Sequence, residues 1–115
     1  MALRNVLKLV AQSGGGGYDD AEKGVFIMTL ATAAISPAAV NTITAPEQTF
    51  TLTGAKVGDV VIGVDKPTDQ AGLAIGQARI TAADTVGIKF VNPTAGNITP
   101  TASQVYKITI LRINA

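Results

Sequence analysis

From residue 47 onward the chain alternates apolar and polar residues in short runs, each closed by turn-forming residues roughly every ten positions. A period of two is the signature of a pleated strand with one buried face. In residues 48–53, Phe50 and Leu52 turn inward and Thr49, Thr51 and Thr53 outward. Lys56, Val57, Gly58 and Asp59 make a turn. Val60, Ile62 and Val64 then form one face of the next strand, which Asp65, Lys66 and Pro67 end. Leu73 and Ile75 mark a short strand, and Gly76 a bulge or kink. Residues 77–82 and 86–92 read as a hairpin joined by Ala83, Asp84 and Thr85, with Val86, Ile88 and Phe90 on one face. Asn92 and Pro93 stop it, and a loop rich in Thr, Asn and Pro covers residues 94–103. The last strand, residues 105–113, aligns Tyr106, Ile108 and Ile110.

The first part of the chain is less regular. Residues 25–33 read as a strand with two mostly apolar faces, as in a strand covered on both sides. Ser36 and Pro37 break it, and residues 38–46 read as a linker or extended connection. Gly14, Gly15, Gly16 and Gly17 stand in a row; such a run cannot sit inside a stable helix or strand, so it is a joint. Before it, Leu3, Val6, Leu7 and Val10 follow helical spacing, while Leu7 and Leu9 also fit strand alternation. This arm is therefore expected to be extended or a short helix, and at this length it needs something to dock on, either its own domain or a neighbour. The expected organisation is an arm and joint over residues 1–17 and one domain over 18–115. With about seven short strands, the fold class is an all-β antiparallel sandwich, jelly-roll or immunoglobulin-like.

Residue chemistry excludes most function classes. The 115 residues include no Cys, His or Trp. That removes thiol nucleophiles, imidazole acid–base chemistry, Ser-His-Asp triads and the usual zinc sites. A net charge of +1 leaves no electrostatic footprint for nucleic acid or an anionic membrane. Residues 24–46 carry no charge, but Thr, Ser, Asn and two Pro interrupt them, unlike a spanning helix. Ala, Val and Ile supply 40 of the 54 hydrophobic residues, and there are 14 Thr. Val, Ile and Thr fit a pleated sheet. Charged residues make up 15% of the chain, against roughly 25% in soluble domains. Two readings fit such a surface, one largely covered by other subunits and the other that of a soluble, mildly apolar β-domain, and composition alone favours the second.

The remaining candidate constellations are thin. The glycine run lacks the Lys and Ser or Thr of a phosphate-binding loop and is followed by aspartates. Asp19, Asp20 and Glu22 lack the spacing of a calcium loop and read as a polar turn. Asp59, Asp65, Asp69 and Asp84 all fall at turns, where Asp serves its own backbone rather than a catalytic pair. Neither an enzyme, a cofactor nor a metal is expected.

The residues from Thr42 to Arg112 do resemble a known group. They read ITAPEQTFTLTGAKVGDVVIGVDKPTDQAGLAIGQARITAADTVGIKFVNPTAGNITPTASQVYKITILR from Ile43 onward. The TFTLTG strand, the GD turn into a Val-rich strand, the KP ending, the ARITAADT hairpin, the NPTA loop and the final YKITILR strand are similar to short virion proteins of tailed bacteriophages. Head decoration (cement) proteins are the nearest in kind. The resemblance implies a sandwich on the outer capsid surface of the virion. It would bind the major capsid protein and form homo-oligomers, trimers favoured over dimers, with no nucleic acid and no membrane. On this reading Leu3, Val6, Leu7, Leu9 and Val10 are the arm's partner contacts, and Gly14 to Gly17 its hinge. The alternative is another virion element: a tail or head-fibre base, or an adhesin module that binds host glycans through residues 68–72 and 94–103.

Overall fold

Tyr106, Ile108 and Ile110 on one sheet face Val86, Ile88 and Phe90 on another, and all six are fully buried. Two alternating strands thus supply the centre of the core, as their sequences predict. The Phe90 and Tyr106 rings meet edge to face with centroids 6.3 Å apart. Around them pack Val40, Leu52 and Ala55, with Met28, Leu30, Phe50, Val61, Val64, Ile75, Ala78 and Ile80 at the margins. The structure is a computed structural model that describes residues 24–114, and the backbone of residues 6–9.

The described residues form seven strands and no helix: β1 (Val6–Leu9), β2 (Gly24–Ile35), β3 (Glu47–Thr51), β4 (Val60–Asp65), β5 (Ala74–Ala82), β6 (Thr85–Val91) and β7 (Gln104–Asn114). They make a four-stranded sheet in the order β1-β2-β7-β4 and a three-stranded sheet in the order β3-β6-β5. All pairings are antiparallel. The fold is therefore the expected all-β sandwich. Its four-plus-three division is that of an immunoglobulin constant domain, with the fifth and seventh strands exchanged: β7 lies between β2 and β4.

Several expectations change. Of the two forms expected of the arm, its described part takes the extended one: β1 pairs with β2 from Val6↔Met28 to Leu9↔Val25. An isolated short helix is marginal, whereas an added strand gains a ladder of hydrogen bonds. Gly76 is the bulge of a single strand, β5, as expected, but that strand begins at Ala74 and leaves Leu73 outside it. The hairpin connection is two residues, Ala83 and Asp84, because Thr85 already pairs with Ala82. Asp84 takes a left-handed φ of 55° there, a conformation that Asp tolerates.

The face assigned to β4 is also corrected. Ile62 is the extra residue of a bulge between the pairs Val61↔Ile110 and Gly63↔Thr109. The bulge resets the alternation, so Val61 and Val64 pack on the core. Val60 and Ile62 stay 52% and 53% exposed.

Residues 38–46 are not a free linker. Gln48 holds Ala38 at both backbone groups, at 2.8 and 3.0 Å. Val40 and Ile98 exchange backbone bonds at 2.8 and 3.0 Å, and Val40 is fully buried. The buried Asn92 completes the attachment. Its backbone pairs with Thr44, and its Nδ2 donates to the carbonyls of Val40 at 2.9 Å and Gly96 at 2.8 Å.

Candidate docking surface

The sandwich has two outer faces of opposite character. On the three-stranded sheet, Glu47, Thr49 and Thr51 of β3 are exposed, as are Gln77 and Arg79 of β5, and Lys89 of β6 is half-buried between them. Register sets Glu47 and Gln77 on either side of Lys89, and Thr49 and Arg79 on either side of Gly87. Arg79 reaches across Gly87 to Glu47 with Nε at 2.8 Å and Nη2 at 3.0 Å from the two carboxylate oxygens. A Cβ at Gly87 would lie 2.8 Å from that carboxylate, so the glycine leaves the lane in which the pair lies. The Arg79 hydrogen bonds hold the Glu47 carboxyl below its ordinary value, against a smaller opposing effect of desolvation, with the Arg79 and Lys89 charges adding to the lowering. This face is charged and water-facing.

The outer face of the four-stranded sheet is apolar. Because Met28, Leu30, Tyr106, Ile108 and Ile110 point into the core, their sequence neighbours point out. Register aligns Ile27, Leu111 and Val60 in one row and Val25 with Ile113 in the next. Ile113 is 65% exposed, and Val25, Ile27 and Leu111 are half-buried. The strand read as covered on both faces is covered on one: among the described residues, no element packs over Val25 and Ile27. Beyond them Thr29 and Thr109 share a hydrogen bond of 3.0 Å between their hydroxyls. Lys107 and Asp65 stand opposite each other at the end of β4, and Val105, 43% exposed, lies beyond them on β7.

The arm contacts fall partly within this picture. Register sets Leu7 opposite Ile27 and Leu9 opposite Val25, at the edge of the apolar rows, and Val6 opposite Met28. Leu3, Val10 and Gly14, Gly15, Gly16 and Gly17 lie outside the described residues.

The two loops named as glycan-binding candidates come together at one end of the sandwich. Gln70 Nε2 donates to the Thr99 carbonyl at 3.0 Å, and Gln70 Oε1 accepts from Thr101 N at 2.9 Å and Lys66 Nζ at 2.8 Å. Gln104 donates to Thr68 across the same junction. A Cβ on Gly72 would lie 2.5 Å from Thr94 Cγ2. Burial pulls the Lys66 ammonium below its ordinary value, against the opposing charge of Asp69. Much of this polar equipment is engaged across the junction. Ile43, in the adjoining turn, is 76% exposed with a left-handed φ of 52°. Neither feature announces itself in the sequence, because β-branched residues rarely adopt that conformation.

The aspartates take structural positions. Asp84 Oδ1 accepts from Gly54 N at 2.8 Å, and Asp84 N donates to the Ala55 carbonyl at 2.9 Å. Asp59 pairs with Arg112. Among the described residues, no group of three or more acidic side chains is placed to hold a metal ion, and no helix is long and apolar enough to cross a membrane. In comparisons with known proteins, no family model, curated protein or solved structure matches this chain.

Proposed function

We propose that this chain is a decoration protein of a tailed-bacteriophage head, which binds the outer capsid surface as a homo-oligomer and reinforces the junctions between major capsid subunits. The observation that carries the reading is the two-faced sandwich: one outer face is charged, and the other presents Val25, Ile27, Val60, Leu111 and Ile113. A contiguous apolar face of this kind marks an interaction surface. The resemblance over residues 42–112 supplies the setting. The work is adhesion, so no catalytic group is required. Weak individual contacts suffice where copies are linked on a repeating lattice, because linkage multiplies affinity.

Undecorated phage heads incubated with the purified protein should acquire ordered density on their outer surface, visible by electron cryomicroscopy. Bare shells at saturating protein would reject the reading. Adhesin activity is the second reading, favoured by the meeting of residues 68–72 and 94–103 at one end. It expects binding to a host-glycan array that exchange of these loops abolishes.

A further inference from the structure

We infer that the apolar outer face of the four-stranded sheet pairs with the same face of a second copy of this chain, about a two-fold axis running along the strands between β2 and β7.

Three features support the pairing. The first is the charge pattern. Lys107 and Asp65 lie together toward one end of the face, short of Val105 on β7, and the rows of Val25, Ile27, Val60, Leu111 and Ile113 lie at the other. A two-fold axis along the strands keeps like ends together. It lays β2 of one copy over β7 of the next, with Ile27 against the partner's Leu111 and Val25 against the partner's Ile113. Charged end meets charged end, with each Lys107 keeping its own Asp65 opposite it, and apolar end meets apolar end.

The second is polar satisfaction. The hydroxyls near the centre of the face, Thr29 and Thr109, already bond each other at 3.0 Å. One hydroxyl donates to the other, so a dry interface leaves a single O–H to be satisfied rather than two.

The third is size. The four strands contain 4, 12, 11 and 6 residues. At about 3.3 Å per residue and 4.8 Å between strands, they span roughly 500 Å². Two stacked faces remove about twice that from water, near the roughly 1,000 Å² that a specific interface needs. Aligned stacking of twisted sheets, with strands about 30° apart, is an ordinary solution for such surfaces. A two-fold pair departs from the trimer that the resemblance favours, and it assigns the apolar face of the proposed function to assembly of the homo-oligomer.

The test is size-exclusion chromatography with light scattering on the full chain over a wide dilution series. The expected mass is twice the chain's 11.7 kDa, falling toward the single-chain value on dilution. Ile113→Lys places a charge on a residue already 65% exposed, so the fold should persist. This variant should run as a single chain with an unchanged circular dichroism spectrum. Leu111→Lys serves as a second disruption, and Thr49→Lys, on the charged face, should remain paired. A wild-type chain that stays monomeric at every concentration overturns the inference. So does a trimer, or a dimer that survives both disruptive substitutions. A monomer that still decorates phage heads overturns the pairing and the homo-oligomeric form of the proposed function while leaving capsid binding standing; a dimer that fails to decorate keeps the pairing and overturns capsid binding.

Discussion

Arg112, on the last strand, closes on Asp59, in the turn before β4. Its Nε and Nη2 meet the two carboxylate oxygens at 2.8 and 2.7 Å. Arg112 Nη2 also donates to the Gly54 carbonyl at 2.7 Å, and Asp59 Oδ2 accepts from Lys56 N at 2.9 Å. The pair thus pins the turn of residues 56–59 and the end of β3's following loop to β7. The side chains of Arg112 and Asp59 are 13% and 3% exposed, so water screens them little.

Removing one member of this pair leaves the other buried and alone. Arg112→Met should cost about 3 kcal/mol in urea denaturation. A change within experimental error would show the pair to be dispensable. The pH dependence follows from Asp59. Burial raises its pKa, but the hydrogen bonds from Arg112 and Lys56 N, with the charges of both residues, outweigh burial and hold it below the ordinary value. A folded pKa below the unfolded one contributes stability that is complete above about pH 4. That contribution is lost as pH falls through the lowered value. The wild-type urea midpoint should therefore fall more steeply under acid than that of Asp59→Asn. Parallel acid profiles would contradict this.

Asn92 provides a sharper case, because its two side-chain ends do different work. Nδ2 donates to the Val40 and Gly96 carbonyls, while Oδ1 accepts from Thr94 N at 2.9 Å and Thr94 Oγ1 at 2.7 Å. Asn92→Ala leaves buried groups unpaired and should cost about 3 kcal/mol. Asn92→Asp keeps the shape but points an oxygen at two carbonyls, so it should cost at least as much. Chemical denaturation of both variants decides the matter; a benign Asp would show that the donor end is idle.

Legibility in the sequence followed the range of the interactions. Val86, Ile88 and Phe90, like Tyr106, Ile108 and Ile110, declare their face by strict alternation, and the structure buries all six. Asp84 and Gly76 announced a turn and a bulge through local chemistry. Residues 38–46 could not be read so easily, since their attachment depends on Gln48, Asn92 and Ile98, distant partners that a local pattern does not contain. Register also escapes composition: the two apolar faces of residues 25–33 look equivalent until pairing assigns one to the core. The opposed characters of the two outer faces emerge only once β7 lies between β2 and β4.

The bulge in β4 makes a register prediction that simple alternation reverses. Val61 packs on the core, while Ile62 is 53% exposed. Val61→Thr sets a hydroxyl against apolar neighbours and should cost about 1–2 kcal/mol. Ile62→Thr should change stability by less than about 0.5 kcal/mol. Thermal denaturation of the two variants side by side tests the assignment, and the opposite ranking would restore Ile62 to the interior.

Ile43 is the case in which substitution should help. Its φ of 52° is left-handed, where a β-branched side chain crowds its own backbone at a cost of about 1–2 kcal/mol. With 76% of its surface exposed, little packing offsets that strain. The turn is held by other groups: Thr42 N donates to Asn97 Oδ1 at 2.9 Å, and Thr44 Oγ1 to the Asn41 carbonyl at 2.7 Å. Ile43→Asn keeps those bonds, accepts the left-handed conformation and removes an apolar group from water. It should stabilise the chain by about 1 kcal/mol, a rise in melting temperature of about 4–8 °C. A fall would mean that Ile43 packs more tightly than its exposure indicates. The same variant bears on function, because strain retained at an exposed position is characteristic of contact sites. A variant that melts higher yet loses attachment to phage heads would mark Ile43 as a contact, whereas full attachment would exclude it from the interface.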